Sequence, residues 1–322
     1  MNPEPPPTIA HYNLLERIGE GALGEVYRAR DTKVGRTVAL KLVPEAVFTD
    51  TATREMFLED ARAATALSHP NIATLFDVGE YDGGCYLAYE FASGVTLRQE
   101  SSGRAVHPRR AVELAVQIAD ALADGHSHGV LHTDLRPDTV FVTQKGSAKV
   151  LDFGMSRWTR GGKTRALASS SPESLGADAV PVVSYMSPEQ AIGGTVDPRT
   201  DVFSLGVVLY EMLAGRNPFA APTASQTVMN VIGAAAPPPA AASGDFEAII
   251  ARAMAKEIDK RHQSAASFSA ELRSVGAILD VRSGDSLPGD LLPLDDESGS
   301  GKWWAAAIAV VALAAVVWWL VR

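Results

Sequence analysis

His132-Thr133-Asp134-Leu135-Arg136-Pro137-Asp138-Thr139, followed downstream by Asp152-Phe153-Gly154, is the stretch on which the reading of this chain turns. It lies where the chain has changed character. Upstream, residues 11–91 are dominated by short strand-like runs, with 26–28, 37–43 and 86–91 rich in β-branched or aromatic residues, and one helix predicted over 53–67. From residue 107 onward helices dominate: Val112, Ala115, Ala119 and Leu122 recur at helical spacing, and similar patterns follow over 202–214, 246–254 and 267–277. A small β-rich lobe followed by a larger helical one leaves a cleft at the joint, a usual place for a ligand. Taken singly, the carboxylates of these loops read as ordinary surface or capping groups. What stands around them decides their role.

The 322 residues, 46% hydrophobic and 21% charged, suffice for one large or two modest domains with proper cores. A net charge of −9 argues against a nucleic-acid binder, which needs clustered Lys and Arg to displace counterions from phosphates. The single cysteine, Cys85, has no partner for an internal disulfide and points to a reducing compartment and a small buried apolar role. No internal repeat is evident.

A glycine-rich segment, Gly19-Glu20-Gly21-Ala22-Leu23-Gly24-Glu25-Val26, opens the β-rich part. Glycines let a strand–turn–strand backbone approach phosphates without a Cβ in the way, and Val26 can cover an aromatic base. The same spacing occurs in dinucleotide-binding folds and in plain hairpins, so the segment is weak alone. Here it is followed by a strand rather than a helix, and then by Val38-Ala39-Leu40-Lys41, which sets Lys41 on the third strand as a point charge facing phosphates. Glycine loop, strand lysine, the loop around Asp134 and Asp152-Phe153-Gly154 stand in the order and at the separations of the protein-kinase family. Ser187-Pro188-Glu189, Asp201 and Arg261 extend the match, and Tyr185-Met186-Ser187-Pro188-Glu189-Gln190 is similar to its bacterial branch. The chain therefore resembles the bacterial eukaryotic-type (Hanks-type) Ser/Thr protein kinases over residues 11–277.

The resemblance implies an α+β, two-lobed protein-kinase-like fold with a small β-rich N-lobe, a larger helical C-lobe, and here one C-terminal transmembrane helix. Residues 1–10 are expected as a flexible tail, 11–279 as the kinase-like domain (N-lobe 11–92, C-lobe 93–279), 280–302 as a linker and 303–321 as the membrane helix. It implies ATP and Mg²⁺ as ligands and a protein as substrate. Asp134 would accept or orient the proton of the incoming hydroxyl, with Arg136 steadying the γ-phosphate and Lys41 facing the phosphates. Ile18, Gly19, Gly21, Gly24, Val26 and Ala39 would enclose the nucleotide. Glu90 and Ala92, after a bulky Tyr89, would offer backbone C=O and N–H to the adenine edge. Asp152 and Thr139 would hold Mg²⁺.

Several positions depart from the family pattern. Thr139 stands where the family has Asn and offers a hydroxyl to the second metal. Asp60, one methylene shorter than the usual Glu, is aligned to pair with Lys41, with Glu59 adjacent. Thr133 replaces the catalytic-loop Arg that receives an activation-segment phosphate, Arg136 replaces Lys, and Val182 replaces a Thr that bonds the catalytic Asp. Thr159, Thr164, Ser169, Ser170, Ser171 and Ser174 are candidate phosphorylation sites, with no catalytic-loop arginine to pair a phosphate. Two readings follow: a protein Ser/Thr kinase, and a pseudokinase acting as a nucleotide-responsive docking module. A small-molecule phosphotransferase is disfavoured by Ser187-Pro188-Glu189, Asp201 and Arg261.

Residues 1–7 are Pro-rich without an apolar core and read as no export signal, which leaves the globular part in the cytoplasm. Residues 280–301 are rich in Gly, Ser and Asp. Residues 303–321 carry no charged side chain, and a helix of that length, at about 1.5 Å per residue, spans roughly the 30 Å hydrocarbon layer. Trp303 and Trp304 sit at one end and Trp318 and Trp319 at the other, where indoles favour the two interfaces. The expected location is the cytoplasmic membrane, single-pass. Ala305, Ala309 and Ala312 form a small-residue face that permits close helix approach and a homodimer. The full-length protein is expected to sediment with membranes and to be released by deletion of residues 303–322. Recovery of the full-length chain in a detergent-free supernatant contradicts this.

Overall fold

A computed structural model describes residues 7–21, 23–155, 158, 179–239 and 244–282. The chain divides into two units, Met1–Leu279 and Asp280–Arg322. Of the second, only residues 280–282 are among those described. Among the described residues no helix is long and apolar enough to cross a membrane. The segment 303–321 lies outside them.

The N-terminal part is a six-stranded antiparallel sheet in the order β1-β2-β3-β4-β6-β5. The strands are β1 (Thr8–Ile9), β2 (Tyr12–Gly21), β3 (Gly24–Asp31), β4 (Thr37–Val43), β5 (Leu75–Tyr81) and β6 (Gly84–Glu90). Alternation on β4 decides which residue faces where. Val38, Leu40 and Leu42 join an outer cluster with Tyr12, Tyr86 and Ala88. Ala39, Lys41 and Val43 point the other way, and Ala39 and Val43 pack in the cluster shared with helix α1 (Thr51–Ala64). Asp50 caps α1, its carboxylate accepting from the Thr53 N–H at 2.7 Å. The buried face of α1 is Phe57, Leu58, Ala61 and Ala64, and the same cluster takes in Met155 and Trp158, which lie just beyond Asp152-Phe153-Gly154.

A second sheet, β7 (Gly94–Thr96), β8 (Val140–Thr143) and β9 (Ala148–Val150), carries the loops around Asp134 and Asp152. Short helix α2 (Leu97–Ser101) follows β7, with a Thr96/Gln99 capping box. Beneath lie α3 (Pro108–Ser127), α4 (Val180–Val183), α5 (Pro188–Ala191), α6 (Pro198–Ala214), α7 (Ala224–Gly233), α8 (Gly244–Ala253) and α9 (Ala265–Arg282). The expected stripe Val112, Ala115, Ala119 and Leu122 of α3 is buried in the main core. Helix α6 is buried almost all round, as a central element must be, so its sequence reads as a continuous apolar run rather than as a stripe. It begins earlier than the pattern suggests, because the Asp197 carboxylate accepts from the Arg199 N–H and Pro198 occupies the first turn, where no donor is needed. Helix α9 likewise continues through Arg282, into residues expected as linker.

One buried ion pair fastens the lower lobe. Arg261, whose side chain is fully buried, donates from Nη1 and Nη2 to the two oxygens of Glu189 at 2.7 and 2.8 Å. Its Nε reaches the Ala255 carbonyl at 2.7 Å, and the remaining Nη donors reach the Arg199 and Lys256 carbonyls. All five guanidinium donors are thus used. Burial alone would raise the Glu189 carboxyl, but the Arg261 hydrogen bonds and charge lower it to about 2 from an ordinary 4.5. Because the folded value lies below the unfolded one, this contribution to stability is complete above about pH 4.5 and is lost as pH falls towards 2. Arg261→Met is expected to cost about 3–5 kcal/mol in denaturant unfolding, since it strands a buried carboxylate, and Arg261→Lys to recover little. In Glu189→Gln the corresponding part of the acid limb disappears; equal acid sensitivity in wild type and variant contradicts the assignment.

Candidate active site

The β2–β3 hairpin forms the upper edge of the cleft. Gly21 and Gly24 face each other across its tip, and a Cβ on Gly21 would come 3.7 Å from Lys41 Cε. A Cβ on Gly24, at φ +141°, would lie 2.0 Å from the Leu42 carbonyl oxygen, so only glycine fits there. Ile18 and Gly19 are exposed on the hairpin, whereas Val26, opposite Lys41, and Ala39, opposite Tyr89, are half-buried. At the back, Glu90 ends β6. Its N–H is held by the Thr74 carbonyl and its carboxylate by Lys149 Nζ at 2.7 Å, and Ala92 follows two residues on.

Lys41, only 7% exposed, donates to Asp152 Oδ1 at 2.5 Å. Burial alone would raise the Asp152 carboxyl, but the Lys41 charge and hydrogen bond hold it below the usual carboxylate range. Burial, with Asp152 beside it, pushes the Tyr89 phenol well above its ordinary value, and the Tyr89 ring lies 5.4 Å from Lys41 Nζ. Asp152 has φ +57°, and Phe153 beside it stacks edge-on against His132 at 5.2 Å. Gly125 of α3 makes room for that ring: a Cβ there would stand 2.3 Å from Phe153 Cε1.

The loop around Asp134 is built on buried Asp201. The Asp201 carboxylate accepts from the N–H groups of His132 (2.8 Å) and Thr133 (2.6 Å) and from His126 Nε2 (2.7 Å). Burial would raise this carboxyl, but the His126 bond and the charges and donors around it lower it. Burial depresses the basicity of His132, which as a neutral ring donates from Nε2 to the Leu151 carbonyl and accepts the Asp134 N–H at Nδ1. One imidazole thus ties the strand before Asp152 to the residue that carries Asp134. Arg136 Nε lies 3.4 Å from Asp134 Oδ1, and its Nη1 lies 3.2 Å from Asp138.

Lys41 and Asp152 are therefore in direct contact, as are Asp134 and Arg136, and His132 links the two pairs. Thr139 is 6% exposed and committed to the turn: its hydroxyl donates towards the Asp134 and Arg136 carbonyls at 3.1 and 3.0 Å and accepts the Arg136 N–H at 3.1 Å. Lys41 does not meet Asp60. That carboxylate accepts from Trp158 Nε1 at 2.8 Å, and the indole packs edge-on against Phe57 (5.2 Å) and Phe48 (6.4 Å). Val182 packs in an apolar cluster with α7 instead of facing Asp134. The Thr and Ser candidates between 159 and 174 lie outside the described residues. Among the described residues no group of three His, Cys, Asp or Glu side chains is placed to hold a metal by itself. A metal bound here needs phosphate or water oxygens as further ligands.

A profile described as "Protein kinase domain" matches residues 12–271, and the chain belongs to the protein kinase family. Among curated relatives, PknB of Mycolicibacterium smegmatis is 35% identical over 81% of this chain and 42% of its own length. The kinase pkn3 of Myxococcus xanthus is 34% identical over 83% of this chain and 50% of its own. The chain thus spans half or less of the length of these relatives. A double-mutant crystal structure of the Mycobacterium tuberculosis PknI kinase domain superposes with a TM-score of 0.64 at 25% identity, covering 84% of this chain and 97% of that one. The two-lobed kinase fold and the bacterial Ser/Thr branch expected from the motifs are both found.

Sequence reasoning did not assign roles to Trp158, His126 or Arg98. Trp158 alone left a trace, as a large apolar residue just past Asp152-Phe153-Gly154. A hydrogen bond to a charged acceptor contributes about 1.5–3 kcal/mol. Trp158→Phe keeps the packing and removes the indole N–H from the Asp60 carboxylate, so it is expected to lower stability by about 1.5–3 kcal/mol in denaturant unfolding. An unfolding free energy equal to that of the wild type contradicts this.

Proposed function

We propose that the chain is an ATP-dependent protein Ser/Thr kinase, held at the cytoplasmic membrane through residues 303–321. The observation that carries the catalytic part is the arrangement in which Lys41 touches Asp152 while Asp134 and Arg136 touch each other, joined through His132. The membrane part rests on the apolar, Trp-flanked run in the sequence.

The residues fit a nucleotide. A glycine hairpin, open where a side chain would obstruct, overhangs a buried lysine, and the backbone after Tyr89 supplies the edge for a base. Ile18, Val26 and Ala39 provide apolar cover, and Glu90 and Ala92 the C=O and N–H. The metal is assigned to Asp152, where one carboxylate oxygen already answers a cation. Mg²⁺, when bound, neutralises charge on the phosphates. Lys41 then exchanges its contact with Asp152 for phosphate oxygens. Asp134, held by its own N–H on His132, orients the acceptor hydroxyl and takes its proton. Arg136, anchored between Asp134 and Asp138, steadies the transferred group. Phosphoryl transfer asks for this positioning and little else from a protein.

The Ser187-capped helix α5 supports a protein acceptor: Gln190 Nε2 donates to the Thr133 carbonyl at 2.8 Å and so fixes the segment after residue 179 against the catalytic loop. Purified full-length protein is expected to transfer labelled phosphate from ATP to itself or to a generic Ser/Thr acceptor, with Asp134→Asn lowering the rate about 10²–10⁴-fold. ATP binding without transfer in the wild type favours the docking-module reading instead. Thr139 supplies the finer test. With its hydroxyl spent on the turn, Thr139→Asn is expected to leave the Mg²⁺ titration at saturating ATP unchanged. A lower half-saturating Mg²⁺ concentration would restore Thr139 as the second metal ligand.

A further inference from the structure

Arg98 lies in the five-residue helix α2, yet it touches three separate parts of the acceptor side. Its Nε lies 2.9 Å from each oxygen of Asp138 in the catalytic loop. Its Nη1 donates to Glu211 of central helix α6 at 3.2 Å, and its Nη2 to the Tyr185 hydroxyl at 3.0 Å, two residues before Ser187-Pro188-Glu189. Its backbone N–H adds a bond to the Pro137 carbonyl. The Tyr185 hydroxyl in turn donates to Glu211. Burial and the Glu211 charge push that phenol up, so it stays a neutral donor.

The sequence sets Arg98 there by local means. Strand β7 pairs with β8, which leaves the catalytic loop, and the Thr96/Gln99 capping box starts α2 at the next residue. Leu97, 1% exposed, roots the helix in the core, which leaves Arg98 to reach across the surface.

We propose that Arg98 is a positioning residue for the acceptor half of the active site, an inference that rests on the kinase reading above. Asp138 is shared: one side is held by Arg98, the other lies 3.2 Å from Arg136, which also meets Asp134. The chain Asp134, Arg136, Asp138, Arg98 and Glu211 alternates sign and ends on the neutral Tyr185 hydroxyl in the segment before α5, and its link towards Asp152 runs through the His132 ring rather than through Arg98. With Arg98 removed, Asp138 and Glu211 lose their shared cation, Asp138 draws on Arg136 alone, and Tyr185 keeps only Glu211. The loop that bears Asp134 and the segment that faces an acceptor then no longer share a register. A planar guanidinium can join two carboxylates and a phenol at once, which an ammonium on the same stem cannot do.

The test compares full-length wild type, Arg98→Met and Arg98→Lys in three assays: transfer to a Ser/Thr peptide, hydrolysis of ATP without acceptor, and ATP affinity. For Arg98→Met the peptide KM is expected to rise and kcat to fall, with kcat/KM down about tenfold to a hundredfold, the scale of a small misplacement of reacting groups. ATP affinity should stay within about twofold, a change too small to register as a lost contact, while acceptor-free hydrolysis, which uses Asp134 and Arg136 but no peptide, should fall less than peptide transfer. Arg98→Lys should lie between and carries the test if Arg98→Met does not fold. Equal losses in transfer, hydrolysis and ATP affinity would make Arg98 merely structural, and unchanged peptide kinetics would also overturn the proposal. A wild type that binds ATP and neither transfers nor hydrolyses it would remove the kinase reading and this role together.

Discussion

The carboxylate of Asp201 is fully buried, and the placement of the loop that carries Asp134 depends on it. A charge so deep in the protein is tolerated only where donors surround it. Here they are the N–H groups of His132 and Thr133 and the ring of His126. Asp201 also lies in the first turn of α6, where the helix dipole favours negative charge. The bonds run from the most buried helix of the lower lobe to the two residues immediately before Asp134, so the Asp134 carboxylate is referred to the core rather than to the surface. Thr133 accepts φ +51° under this constraint, a conformation that side chains other than glycine rarely adopt.

From this anchor the remainder of the site is reached in short steps. His132, fixed through its N–H, spends one ring nitrogen on Asp134 and the other on the strand that delivers Asp152. Phe153 leans on the same imidazole and fits only because α3 carries Gly125. The lower lobe is closed independently by Arg261 and Glu189, and Gln190 next to Glu189 returns to the Thr133 carbonyl. Neighbouring networks thus meet at Thr133, where the family has an arginine. The backbone of that residue is fully engaged even though its side chain has changed.

What was legible in the sequence was whatever depends on order and spacing. The ordered motifs gave the lobes, the strand position of Lys41 and the loops of Asp134 and Asp152, because each is fixed by local geometry. Helix ends were misjudged by a few residues where caps decide them, as at Asp197. The partner of Lys41 was not legible: Asp60 has the right place in the sequence, but its direction depends on how α1 packs, and a tryptophan far along the chain supplies the competing donor. The hydroxyl of Thr139 was equally undetermined, since a short polar side chain in a loop serves its own backbone as readily as a metal. Arg98 was invisible for a third reason. Its partners Asp138, Tyr185 and Glu211 are scattered along the chain, and only the packed fold brings them together.

Under the proposed kinase function, Asp201 positions Asp134 for chemistry without taking part in nucleotide binding. The direct measurement is ATP affinity and phosphate transfer of Asp201→Asn beside the wild type. An amide of the same shape presents its NH₂ to donors that require an acceptor, so the loop should shift while the Lys41 side of the cleft persists. ATP affinity within about threefold of wild type with transfer reduced about a hundredfold or more is the predicted result. Folded Asp201→Asn protein that transfers phosphate at the wild-type rate would contradict it.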